Sequence, residues 1–204
     1  MEDSSIRLPT LTLGWLLVFT LVYVGQLLLA GDFSASAALE SGRELAHTVG
    51  AGSVVFSWLF HSSHSHFVGN VVVFVLAGWW VEGRTPTAHF LIGVGLLGIT
   101  PNVVALVVFN IPGFGISGIT TGMVAMIAVG SYDALSDPSE KDWKAVALFT
   151  VGTVYTLLSL GVIGALPAGT AGEIHLLGAI LGVAWYFIET RHYSFTHSPE
   201  PKTD

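Results

Sequence analysis

Six long apolar runs, at about 11–30, 54–81, 88–110, 116–132, 143–163 and 172–189, occupy most of a 204-residue chain and leave short polar stretches between them. A bilayer core accommodates a helix of about 20 apolar residues. Within lipid, each spanning segment must satisfy its own backbone N–H and C=O groups, which favours helices. The chain is therefore expected to be an all-α polytopic membrane protein. One compact domain of six transmembrane helices would cover residues 11–190, with polar tails at 1–10 and 191–204. Composition agrees, since 52% of residues are hydrophobic and only 10% charged, where a soluble domain carries about 25%. An ordinary water-soluble globule is excluded. The 24 glycines suit close helix packing in a membrane.

The first run follows Arg7 and precedes Ala35-Ser36-Ala37, as a cleaved signal peptide would. Its length is that of a span rather than of a signal core, and Glu2 and Asp3 spoil the positive leader, so it is expected to stay as the first helix. Positive residues set orientation. With the N-terminus inside, Arg7, Arg84, Lys141, Lys144, Arg191 and Lys202 are cytoplasmic and only Arg43 is outside. Both termini are thus expected in the cytoplasm, in a cell membrane. The net charge of −7 and the scattering of seven Lys and Arg exclude a nucleic-acid partner. The absence of cysteine removes disulfides, thiol nucleophiles and Cys-based metal sites.

Polar groups inside spans need partners or a task. The second run carries His61-Ser62-Ser63-His64-Ser65-His66 and then Asn70; His66 and Asn70, four apart, share a helical face. Interhelical hydrogen bonding is the simplest use of such a pair. The fourth run is short and opens with Ile111-Pro112-Gly113-Phe114-Gly115-Ile116-Ser117-Gly118, so its helix is expected to start below the outer surface. Non-helical backbone at that depth requires surrounding protein or water, which implies a recessed pocket with Ser117 at the positive end of a helix. A serine there can equally be a simple N-cap. The sixth run begins Glu173-Ile174-His175, and Gly178 and Gly182 form a small-xxx-small face, as do Gly118 and Gly122. If these faces meet, Ser117 and His175 arrive at similar depth; the glycines could instead face other helices.

A serine hydroxyl becomes nucleophilic when a base takes its proton, and neutral histidine does so near pH 7. Soluble serine hydrolases add an orienting carboxylate. Here no Asp or Glu lies well inside a run, and Glu173 projects almost opposite to His175. The set would therefore be a Ser–His dyad of Ser117 and His175. Acyl transfer also needs donors where the oxyanion develops. His66, Asn70 and the Ser117 N–H could supply them if the second helix packs beside the fourth.

These residues resemble a known family. His66-Phe67-Val68-Gly69-Asn70, Gly115-Ile116-Ser117-Gly118 and His175 through Gly182 reproduce, in order, the His-x-x-x-Asn, Gly-x-Ser-Gly and His-x-x-Gly-x-x-x-Gly motifs of the rhomboid intramembrane serine proteases. The resemblance covers roughly residues 54–190. It implies a six-helix rhomboid-like bundle and cleavage of transmembrane protein substrates without cofactor or metal. Ser117 would be the nucleophile, His175 the base, and His66, Asn70 and the Ser117 amide the oxyanion hole. Where many members place a tyrosine that stacks on the histidine, this chain has Thr121, and the 31–53 loop lacks the Trp-Arg signature common there.

Helical substrates must unwind before a peptide carbonyl can be attacked, so Gly, Pro or polar residues near the outer boundary are expected in them. The loop 164–172, Gly-Ala-Leu-Pro-Ala-Gly-Thr-Ala-Gly, precedes His175 and is expected to cap the site. Two other functions compete. A catalytically inactive rhomboid-like protein would bind membrane clients, and a metal transporter would use His61, His64 and His66.

Overall fold

The computed structural model describes residues 8–31, 33–34, 40–41, 44, 53–111, 113–135, 143–162 and 172–196. The expected cap at 164–172 falls almost wholly outside them. Six long helices follow in order: α1 Thr10–Ala30, α2 His64–Glu82, α3 Thr87–Phe109, α4 Ser117–Leu135, α5 Trp143–Ser159 and α6 Gly172–Thr196. All but α5 are long and apolar enough to cross a membrane. The chain is an all-helical membrane bundle of the expected class.

The helix ends follow from local chemistry. The first backbone N–H groups of a helix lack intrahelical acceptors. At α1 a distant side chain supplies them, because the Glu82 carboxylate accepts from Leu11 N at 3.0 Å, Thr12 N at 2.8 Å and Thr12 Oγ1 at 2.7 Å. The last residue of α2 thereby caps the first turn of α1. Left-handed residues that only Gly or Asn adopt readily close three helices: Gly31 after α1, Asn110 after α3 and Gly161 after α5.

The second apolar run is not one helix, contrary to its expected span of 54–81. A helical turn at Ser53–Phe56 and a 3-10 turn at Ser57–Leu59 precede a break before His64. Gln26 of α1 holds this break open, its amide accepting from His61 N at 3.1 Å and donating to His61 O at 2.7 Å. Ser63, in extended conformation, then caps α2 by accepting from His66 N at 3.2 Å. α5 ends at Ser159, short of the expected 163, and α6 runs beyond 189 to Thr196.

α4 is the central helix, buried at every residue from Ser117 to Ile127. The outer helices instead turn leucines outward, among them Leu17, Leu21 and Leu28 of α1, which are roughly 60% exposed and form lipid-facing surface. The tryptophans divide in the same way. Trp143 and Trp79 are exposed, whereas Trp58 and Trp185 are buried. They lie against Gly98 and Gly93 of α3, where a Cβ would collide with the indole rings.

The glycine faces of α4 and α6 meet. A Cβ on Gly178 would collide with Gly118 O, one on Gly182 with Gly122 O, and one on Gly122 would stand 2.8 Å from Gly178 O. The backbones are in direct contact, as small-xxx-small faces permit. Gly118 is closed from its other side by α3. Pro101 cannot donate to the Leu97 carbonyl, and a Cβ on Gly118 would lie 3.0 Å from that oxygen and 3.3 Å from Pro101 Cγ.

Gly182→Ala is therefore expected to destabilise the folded protein by about 1–3 kcal/mol through overpacking. Gly14→Ala, with nothing within 4 Å of the added methyl, should be neutral or slightly stabilising. Thermal unfolding of the two variants in detergent micelles checks the contrast.

Candidate active site

Ser117 is the first residue of α4 and His175 the fourth of α6. The contacts of Gly118 with Gly178 bring these two helix starts side by side. Ser117, His175 and Asn70 each retain 7–8% exposure, while Thr120 and Thr121, about one turn deeper in α4, have none. The four residues singled out from sequence thus cluster at one end of the bundle. No described hydrogen bond joins Ser117 to His175; such bonds often tighten only when substrate is bound.

Gly115 shapes the space between α2 and α4. Its φ of +87° belongs to the left-handed region that glycine occupies at little cost, and its N–H reaches Ser57 O at 3.4 Å. A Cβ there would lie 2.9 Å from His66 Cε1, 3.2 Å from His66 Nε2 and 3.2 Å from Asn70 Nδ2. Both polar groups of α2 therefore turn toward the backbone just before Ser117. Asn70 Nδ2 is buried without a hydrogen-bond partner, which leaves an unused donor where it costs most. His66 Nδ1 is engaged by Ser62 Oγ at 3.0 Å, so Nε2 is the nitrogen turned to the cleft. As the first residue of its helix, Ser117 carries one of the N–H groups left without an intrahelical acceptor.

His175 is held from α5. Its Nδ1 lies 2.6 Å from Ser159 O. Lower on the same face of α5, Tyr155 OH reaches Thr120 Oγ1 at 3.5 Å, and Thr120 Oγ1 in turn donates to Ser117 O at 3.0 Å. Thr121, four residues after Ser117, is fully buried.

Several of these contacts had no signal in the sequence. Ser62 adjoins a visible motif, but Gln26 sits in an otherwise apolar run, and Ser159 acts through its main chain. Glu189 of α6 is a buried carboxylate that accepts from Trp185 Nε1 at 2.9 Å and pairs with His89 Nδ1 at 2.9 Å. Fourteen residues beyond His175, it stands about 21 Å away along the helix, too far to orient that ring.

The histidine cluster does not converge as metal ligands would. His64 uses Nδ1 with Tyr23 OH and Nε2 with Phe33 O, each at 2.7 Å, which occupies both its nitrogens. His61 packs edge-on to His66 with ring centroids 5.5 Å apart, and both its nitrogens are buried without partners.

Fold and site define a class: a helical membrane protein whose buried polar residues gather where three helices begin. A family model described as Rhomboid domain matches residues 53–192, and the chain belongs to the rhomboid family. The match starts after α1 and includes α2 through most of α6. A search of curated proteins finds none that matches.

Gly115→Ala is expected to disturb this site twice, by forcing a side chain into the left-handed region and by filling the space in front of Asn70 Nδ2. The backbone cost alone should lower the stability of the folded protein by roughly 1–3 kcal/mol. Thermal unfolding in detergent micelles, compared with the parent protein, provides the check.

Proposed function

We propose that this protein is an intramembrane serine endopeptidase that cleaves transmembrane segments of membrane proteins, with Ser117 as nucleophile and His175 as base. The observation that carries this reading is the joining of the two helix starts by their glycine faces, with the unpartnered amide of Asn70 turned toward the same space. Three separate stretches of chain supply a nucleophile, a base and donors at one level of the bundle.

The chemistry follows from these groups. His175 Nε2 takes the Ser117 proton as Oγ attacks a peptide carbonyl. The resulting oxyanion is received by the Ser117 N–H, Asn70 Nδ2 and His66 Nε2. With Ser62 Oγ as the donor in its contact with His66 Nδ1, Nε2 would carry the N–H that this role needs. Collapse breaks the peptide bond, and His175 returns its proton to the leaving amine. Water activated by the same histidine then hydrolyses the acyl-enzyme and restores Ser117.

The count of positive residues in the sequence supports an orientation with this end of the bundle at the outer face of a cell membrane and both termini in the cytoplasm. A substrate helix would have to unwind there, which favours segments with Gly, Pro or polar residues near that boundary.

A fluorophosphonate should label Ser117 in the folded protein, and Ser117→Ala should abolish both labelling and cleavage of a model transmembrane substrate. A folded protein that is not labelled would mark it instead as a binding protein without catalysis. Asn70→Ala should slow cleavage by about 10²–10³, read as fragment yield against time by mass spectrometry.

A further inference from the structure

We infer that the main-chain carbonyl of Ser159, at the C-terminus of α5, is the positioning group that fixes the ring of His175 and takes the place of the carboxylate that this site lacks. The inference rests on the dyad reading of Ser117 and His175. A carbonyl oxygen only accepts, so the 2.6 Å contact requires the proton on His175 Nδ1. In the neutral ring Nε2 is then the lone-pair nitrogen, the form a general base must present to a serine hydroxyl. Soluble triads obtain the same tautomer from an aspartate.

Local geometry leaves the Ser159 carbonyl without a competing backbone donor among the described residues. Gly161, at φ +70°, turns the chain left-handed after α5. Gly161 N–H then returns to Leu158 O at 3.0 Å and Val162 N–H to Leu157 O at 3.0 Å. These bonds satisfy the carbonyls before Ser159, and the helix ladder stops there. The Ser159 side chain is occupied elsewhere, with Oγ donating to Thr156 O at 2.9 Å. The acceptor also stands at the negative end of a 17-residue helix, whose field stabilises a cation at that terminus. It therefore favours the imidazolium that forms when Ser117 loses its proton. One backbone atom supplies both the orientation and part of the charge that a carboxylate would supply.

A backbone acceptor is tested by changing the backbone. Replacing Leu160 by its α-hydroxy acid converts the 159–160 amide to an ester and weakens the Ser159 carbonyl as acceptor, while removing the Leu160 N–H bond to Thr156 O. The corresponding ester at 158–159 removes one helical N–H and leaves the Ser159 carbonyl an amide, which makes it the control. In the full chain in detergent micelles, the 159–160 ester should react with a fluorophosphonate about tenfold more slowly, the loss of roughly one hydrogen bond to a charged group. The control ester and Ser159→Ala should stay within about twofold of the parent. Nitrogen-15 spectra of labelled histidine, with the His175 signals assigned by their loss in His175→Asn, should show the Nδ1–H tautomer in the parent protein. An Nε2–H tautomer, or equal rates for the two esters, would overturn the inference while labelling of Ser117 left the dyad standing. A parent protein that is folded but unlabelled at Ser117 would overturn the dyad reading, and this inference with it.

Discussion

The contact between the glycine faces of α4 and α6 sets the position of everything else in the site. Gly118 and Gly122 on one helix, and Gly178 and Gly182 on the other, let two backbones touch without intervening side chains. With no side chain at these crossings, the relative height of the helices is set by main-chain shape. Ser117 adjoins one of these glycines and His175 lies one turn before another, so the register of the two residues follows from that contact. α3 closes the arrangement from the other side, with Pro101 and the Leu97 carbonyl against Gly118.

Around this rigid pair the polar groups are held by short-range bonds to elements that carry no chemistry themselves. Gln26 of α1 holds the backbone at His61, Ser63 starts α2, and Ser62 engages the ring of His66. The result is a set of side chains with one polar atom engaged and another turned to the cleft. His66 meets a hydroxyl at Nδ1, which can donate, whereas His175 meets a carbonyl, which cannot. The carbonyl admits only one tautomer of the neutral His175 ring, whereas the hydroxyl can serve either tautomer of His66.

Much of this was legible in the sequence. The apolar runs marked six helices, and the pairs Gly118/Gly122 and Gly178/Gly182 marked faces able to approach closely. The polar residues His66, Asn70, Ser117 and His175 stood out because lipid tolerates such groups only where they are bonded or used. What stayed hidden depended on tertiary partners. The break in the second run could not be seen in its composition, because it is held by Gln26, 35 positions upstream of His61. The burial of Trp58 and Trp185 depended on gaps left by glycines of α3. The Ser159 acceptor had no residue-type signal, since every residue carries the same carbonyl.

The cap of α1 by Glu82 has a consequence for how the protein is made. The acceptor for Leu11 and Thr12 is about 70 residues downstream, so during synthesis α1 must enter the bilayer with its first N–H groups still held by water or lipid headgroups. They exchange those partners for a carboxylate only when α2 arrives. Because Glu82 ends α2, it can reach Thr12 only if that helix has inserted antiparallel to α1 and to full depth. The bond thus ties the first turn of α1 to the last residue of α2, at the end of α2 away from His66 and Asn70.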